Sequence, residues 1–166
     1  MLMEQAGTPA EQAKEYTFTT PLEHGLSYKK VNPNHANFKK TVAQCWDYID
    51  SGVSRGGSKE LISTEYVVQK VLGGDSDLWL SVDKGGTTVG CFVIGSAPYP
   101  EMTGIFAETI GGQFDFKYIT PVVEKFYKRC GYKFFEMTGR KGWERVMEPL
   151  GYKLMNITMY KRFSDE

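Results

Sequence analysis

Charge of one sign, histidine, cysteine and long apolar runs are all scarce in this chain of 166 residues. Twenty basic and twenty acidic residues cancel to a formal charge of zero, so no long-range field gathers nucleic acid or an anionic membrane, and neither is expected as a partner. Cys45, Cys91 and Cys130 each fall inside an apolar stretch. They read as small core residues, not as a disulfide frame or a metal site. His24 and His35 stand near turns with no Cys, Asp or Glu at ligand spacing, so no metal is expected. No apolar run approaches a membrane span, and Met1-Leu-Met-Glu-Gln lacks the charged start and apolar centre of a signal peptide. A cytoplasmic location is the expectation. No Gly-x-Ser-x-Gly elbow, Walker loop or dinucleotide fingerprint is present.

Aromatic residues and glycine are plentiful, and the apolar pattern divides the chain clearly. Residues 1 to 14 are small and polar and read as a tail docked on a partner or folded back, and residues 15 to 166 read as one domain. Tyr16–Thr20 has the composition of an edge strand and Leu26–Val31 that of a fuller one. Phe38, Val42, Cys45, Trp46 and Ile49 recur at helical spacing and predict one long helix ended by Asp50-Ser-Gly52. A second helix is expected to carry Leu61, Ile62, Val67, Val68, Val71 and Leu72 and to stop at Gly73-Gly74-Asp75. Leu78–Asp83 and Thr87–Ile94 flank Lys84-Gly85-Gly86 as a hairpin.

The last third reads strand, glycine turn, helix, strand, short helix, strand. Ile105–Ile110 is a β-branched run closed by Gly111-Gly112. In the helix that follows, Thr120 suits the cap, Pro121 the first position and Gly131 the left-handed residue past the end. Tyr132–Met137, the segment from Arg140 to Tyr152 and an alternating strand from Leu154 to Phe163 complete the chain.

From Leu26 onward this order resembles the GNAT family of N-acetyltransferases. The resemblance implies an α+β fold, a single domain with a central mixed twisted sheet flanked by about four helices. It also implies a place for acetyl-CoA between the fourth family strand and the helix after it. There backbone amides of a Gln/Arg-x-x-Gly-x-Gly/Ala loop would hold the pyrophosphate, because a helix N-terminus offers free N–H groups and glycines let phosphate approach. The matching stretch is Gly111-Gly-Gln-Phe-Asp-Phe116, which has phenylalanine where glycine is wanted and Asp115 where a diphosphate would lie. If the chain is active, Ile110, Gly111, Gly112 and Gln113 are the coenzyme-binding candidates. Glu108 is then the candidate base, by the family's frequent glutamate on this strand. The family's tyrosine acid falls on Met147, so Tyr152 or Tyr127 would have to substitute. Each also has a plainer reading: a solvent-facing strand residue for Glu108, a strand-ending turn for Gly111-Gly112, and packing for Tyr127 and Tyr152.

The aromatics point another way. Phe114, Phe116 and Tyr118 either fill the position of the pantetheine or form a contact surface. Arg140, Lys141, Trp143 and Arg145 make a small basic and aromatic cluster, or else a solvated helix start with Trp143 tucked inward. The segment Gly-Arg-Lys-Gly-Trp-Glu-Arg-Val is similar to that of small GNAT-like proteins of tailed bacteriophages. That resemblance implies a virion-associated or host-directed protein, bound to a protein partner or to its own copies, in host cytoplasm or virion. It has no need of a coenzyme. The alternative is an acetyl-CoA-dependent N-acyltransferase with an atypical loop.

Overall fold

The computed structural model describes residues 18–56, 59, 61–139, 142–155, 159 and 161–163. The tail of residues 1 to 14, and with it the expectation that it docks, lies outside them. Six strands form one sheet in sequence order: β1 (Phe18–Thr19), β2 (Leu26–Lys30), β3 (Ser76–Asp83), β4 (Thr88–Pro98), β5 (Thr103–Gly112) and β6 (Phe134–Met137). Every neighbouring pair is antiparallel except β5 and β6, which run parallel, so the sheet is mixed as expected.

The central strands are buried on both faces, and their alternation sorts the core into two layers. Leu78, Leu80, Cys91 and Val93 face one side, and Trp79, Phe92 and Ile94 face the other. On the first side lie α1 (Phe38–Gln44), α2 (Trp46–Arg55) and α3 (Thr64–Leu72), which contribute Val42, Ile49, Val67 and Val71. On the second lies α4 (Phe116–Arg129), with Ile119, Val123, Phe126 and Tyr127. All three cysteines are free and buried. After β6 come α5 (Trp143–Met147) and a 3-10 turn at Glu148–Leu150.

Several boundaries differ from the sequence reading, each for a local reason. The first long helix is two, because Cys45 departs from helical geometry between α1 and α2, and Trp46 is turned outward to 38% exposure. Gly52 does not end it. It lies within α2, where a Cβ would overlap the Thr109 hydroxyl and press on the Ile110 carbonyl, so it lets α2 sit against β5. Ser63, whose hydroxyl accepts from the Tyr66 N–H, caps α3 one residue after Ile62, which leaves Leu61 outside the helix and exposed. Asp115, not Thr120, caps α4, and Pro121 falls inside the helix, depriving the Lys117 carbonyl of its usual donor. The other end of α4 matches expectation. Gly131 has φ +99°, its N–H donates to the Lys128 carbonyl, and the Tyr132 N–H donates to Tyr127, a Schellman closure.

The expected last strand is not formed by its described residues: Leu154 and Met155 are irregular and exposed, as are Met159 and Phe163. Residues 156–158 and 160 lie outside the described set.

Candidate functional site

The region between β5 and β6 is where the fold could hold a ligand. Val93 is opposite Thr109 and Ile94 opposite Ala107, so Glu108 is an extra residue, a β-bulge in the middle of β5. Pairing with β6 covers Gly104 to Ala107 and ends at the bulge. Beyond it, β5 carries on to Gly112 beside β4 alone.

The bulge aims Glu108 toward α3. Its carboxylate is buried, with 5% of the side chain exposed, and it accepts from the Lys70 ammonium and, at 2.8 Å, from the Ser76 hydroxyl. The Lys70 ammonium also lies over the Phe106 and Tyr66 rings, at 5.3 and 5.6 Å. From the sequence Glu108 is either a candidate base or a solvent-facing strand residue. The structure gives it an ion pair instead. Lys70 and Ser76 were missed, since nothing in their spacing links them to residue 108.

Tyr152 lies on the other face of the sheet. Its hydroxyl donates to Glu124 of α4 at 2.7 Å, and its ring meets Phe135 at 6.1 Å. Burial first, then the Glu124 carboxylate, pushes its pKa far above the usual phenol range. Base and acid candidates are therefore not brought together. Tyr127 is buried in the core, where its hydroxyl donates to Asp77 at 2.7 Å and accepts from the Trp79 indole at 3.0 Å. Burial, then Asp77, raises its pKa.

Gly111 and Gly112 are not a turn. Both belong to β5, opposite Cys91 and Gly90. A Cβ on Gly111 would overlap the Tyr48 carbonyl of α2, and one on Gly112, at φ +83°, would run into the Val89 carbonyl. Their lack of side chain serves packing between α2, β4 and β5. Ile110 is half-buried against the α4 layer.

Five of the seven amides from Gln113 to Ile119 are engaged as well. Gln113 N–H donates to the Val89 carbonyl at 2.9 Å and Asp115 N–H to the Tyr28 hydroxyl at 2.9 Å. Lys117 N–H donates to the Asp115 carboxylate at 3.0 Å, and Tyr118 and Ile119 donate to the Asp115 carbonyl at 3.1 and 3.0 Å. A diphosphate seated here would displace these bonds and face a carboxylate at the helix end that normally attracts anions. The residues present do not fit the pyrophosphate of coenzyme A.

Rings close the same region. Phe114 and Phe116 meet edge to face at 4.8 Å, and Phe116 meets Trp143 of α5 at 4.8 Å. Phe114 packs on the α4 layer, and all three rings are half-buried. Trp143 lies against Gly139, where a Cβ would overlap the indole. Tyr118 is not part of this row and stacks on His24 at 4.0 Å. Arg145 is exposed, and Arg140 and Lys141 lie outside the described residues. Among the described residues no group of His, Cys, Asp and Glu could hold a metal, and no helix is long and apolar enough to cross a membrane.

No protein-family profile and no curated protein matches this sequence. Solved structures do. An aminoglycoside acetyltransferase from an uncultured soil metagenomic sample aligns at TM-score 0.57 with 9% identity, over 87% of this chain and 100% of that one. A predicted acetyltransferase with acetyl-CoA from Clostridium acetobutylicum aligns at 0.55 with 11% identity, over 82% and 96%. A GNAT family acetyltransferase from Staphylococcus aureus aligns at 0.55 with 15% identity, over 84% and 99%. The chain therefore has a GNAT-like α+β fold. Identities this low carry the fold alone.

Proposed function

We propose that this chain uses the GNAT scaffold for protein contact and does not turn over acetyl-CoA. The observation that carries this reading is the head of α4, where five N–H groups from Gln113 to Ile119 are already bonded and Asp115 occupies the anion position. Exposed apolar side chains near the C-terminal end support a contact role. Val146 is 50% exposed, Leu154 67%, Met155 66%, Met159 90% and Phe163 86%. Contiguous exposed apolar surface marks interaction sites, and these five side chains fall within eighteen residues of sequence. A partner protein or a second copy is the expected occupant. The setting, a bacteriophage protein of the virion or one directed at the host, rests on the resemblance of the segment around Trp143.

One observation favours the other reading, an acetyl-CoA-dependent N-acyltransferase. The bulge at Glu108 and the end of β5–β6 pairing at Ala107 leave one side of β5 without a strand partner, as a substrate cleft would require. Thermal melting with excess acetyl-CoA separates the two, since ligand at a hundred times its dissociation constant stabilises by roughly 2.7 kcal/mol. The contact reading expects an unchanged melt. A clear upward shift supports the acyltransferase instead.

A further inference from the structure

A cavity of about 190 Å³ lies away from the β5–β6 region, between one flank of α4 and the corner joining β1 to β2. Its walls are Pro21, Leu26, Tyr28, Tyr118, Val122 and Phe126. The helical residues follow from spacing, since Tyr118, Val122, Phe126 and Arg129 recur every three or four positions along one face of α4. Lys125 and Arg129 complete that face and stand at the cavity with no ion-pair partner among the described residues. Glu23 is the one acidic residue in the lining.

The end of the cavity is fixed by a tight turn. Glu23 and Leu26 exchange backbone hydrogen bonds of 2.9 and 3.0 Å around His24 and Gly25, which have φ +52° and +83°. Left-handed geometry at both central residues is the two-residue hairpin turn that matches strand twist, and glycine or asparagine adopts it most readily. His24 takes the less favourable geometry and lays its ring on Tyr118, 4.0 Å away and tilted by 26°. The β1–β2 corner is thereby tied to the first turn of α4, and the cavity keeps a wall at that end. Strain of this kind gathers at ligand clamps.

Aromatic walls of this volume suit a single ring or a branched aliphatic body. An engineered apolar cavity of about 150 Å³ takes up benzene. Lys125 and Arg129, four residues apart and without an ion-pair partner among the described residues, supply what the body alone lacks, a fixed place for one negative group. We propose that this cavity binds a small monocarboxylate with an aromatic or branched apolar body, its carboxylate toward Lys125 and Arg129 and its body between Tyr28, Tyr118 and Phe126. The site shares Tyr28 and Tyr118 with the head of α4 but uses none of its amides, and it holds whether or not the chain transfers acyl groups.

The test is a titration of the nitrogen-labelled full chain with phenylacetate, read in the amide spectrum, beside phenylacetamide as the neutral isostere. Saturable shifts centred on Tyr118, Val122 and Phe126, with the amide at least about tenfold weaker, are expected, a difference of about 1.4 kcal/mol. Reversing the charges in Lys125→Glu/Arg129→Glu, at exposed positions, abolishes carboxylate binding while the melt stays as before. Val122→Trp fills the cavity and has the same effect. No saturation in the millimolar range, shifts centred elsewhere, or equal affinity for acid and amide overturns the proposal.

Discussion

Lys70 reaches from α3 to the same Glu108 oxygen that accepts the Ser76 hydroxyl at 2.8 Å, so the bulge of β5 is held by a partly buried ion pair, with Glu108 inside and Lys70 at its solvent side. Removing one partner of such a pair strands the other charge. Lys70→Met should therefore destabilise the fold by about 3 kcal/mol, and Glu108→Gln, which keeps the shape and removes the charge, by less. Urea unfolding checks this. Equal, small losses for both variants would mean that solvent already carries the Glu108 charge.

Gly111 should be among the least replaceable residues. Gly111→Ala forces a methyl into the Tyr48 carbonyl, and overpacking against rigid backbone costs about 1 to 3 kcal/mol or more. Gly86→Ala is the comparison, because at φ +81° with nothing near its Cβ it should lose only the left-handed penalty of about 1 to 2 kcal/mol. Melting temperatures of the two variants rank them. If Gly111→Ala is the milder change, α2 does not press on β5 as described.

Alkaline pH should act through a buried lysine and an opposed set of tyrosines around α4. Lys30 is fully buried, 3.6 Å from Asp77, and burial holds its pKa below the usual 10.5 against the pull of Asp77. Between its folded pKa and 10.5 the unfolded chain binds a proton that the folded chain has released, so this group makes stability rise with pH. Tyr28, Tyr127, Tyr132 and Tyr152 are pushed above their usual 10.0, chiefly by burial. Their contribution is complete below pH 10.0 and is lost as pH climbs toward their folded values. Urea midpoints from about pH 9 to about pH 11 should fall at the upper end, because four tyrosines outweigh one lysine. Lys30→Met should remove the rise and Tyr127→Phe should soften the fall. A midpoint that keeps increasing through this range would contradict the burial of the tyrosines.

The aromatic row should be separable from the fold's core. Phe116→Ala removes two edge-to-face contacts of about 0.5 to 1.5 kcal/mol each together with part of a buried ring, and should cost about 2 to 3 kcal/mol. Tyr118→Ala should cost less and should instead release the His24 turn. Chemical unfolding and the His24 ring resonances distinguish the two.

What the sequence discloses follows from how local each signal is. The β3–β4 hairpin was legible, because strands buried on both faces read as apolar runs and Lys84-Gly85-Gly86 marks the turn. So was the end of α4 at Gly131, a single residue with a single backbone requirement. Gly52 and Gly111 were read as stops because their reason for being glycine lies in a neighbouring element far along the chain. Pro121 drew the start of α4 too late, although Asp115 two residues before Lys117 was a usable cap signal. The Glu108 bulge depends on register with β4, which no window of residues contains. Lys30 could have been found, since it shares the inward face of β2 with Tyr28.

The central claim is that five of the seven amides from Gln113 to Ile119 at the head of α4 are already bonded and that Asp115 holds the place a diphosphate would take. The most direct measurement is the amide spectrum of the labelled chain titrated with acetyl-CoA, following Gln113, Asp115, Lys117 and Tyr118. These four resonances are predicted to stay where they are at every concentration. Saturable movement of all four, lost when Asp115 is kept and Gly112 is replaced by a bulky residue, would contradict the account and make acyl transfer the better reading.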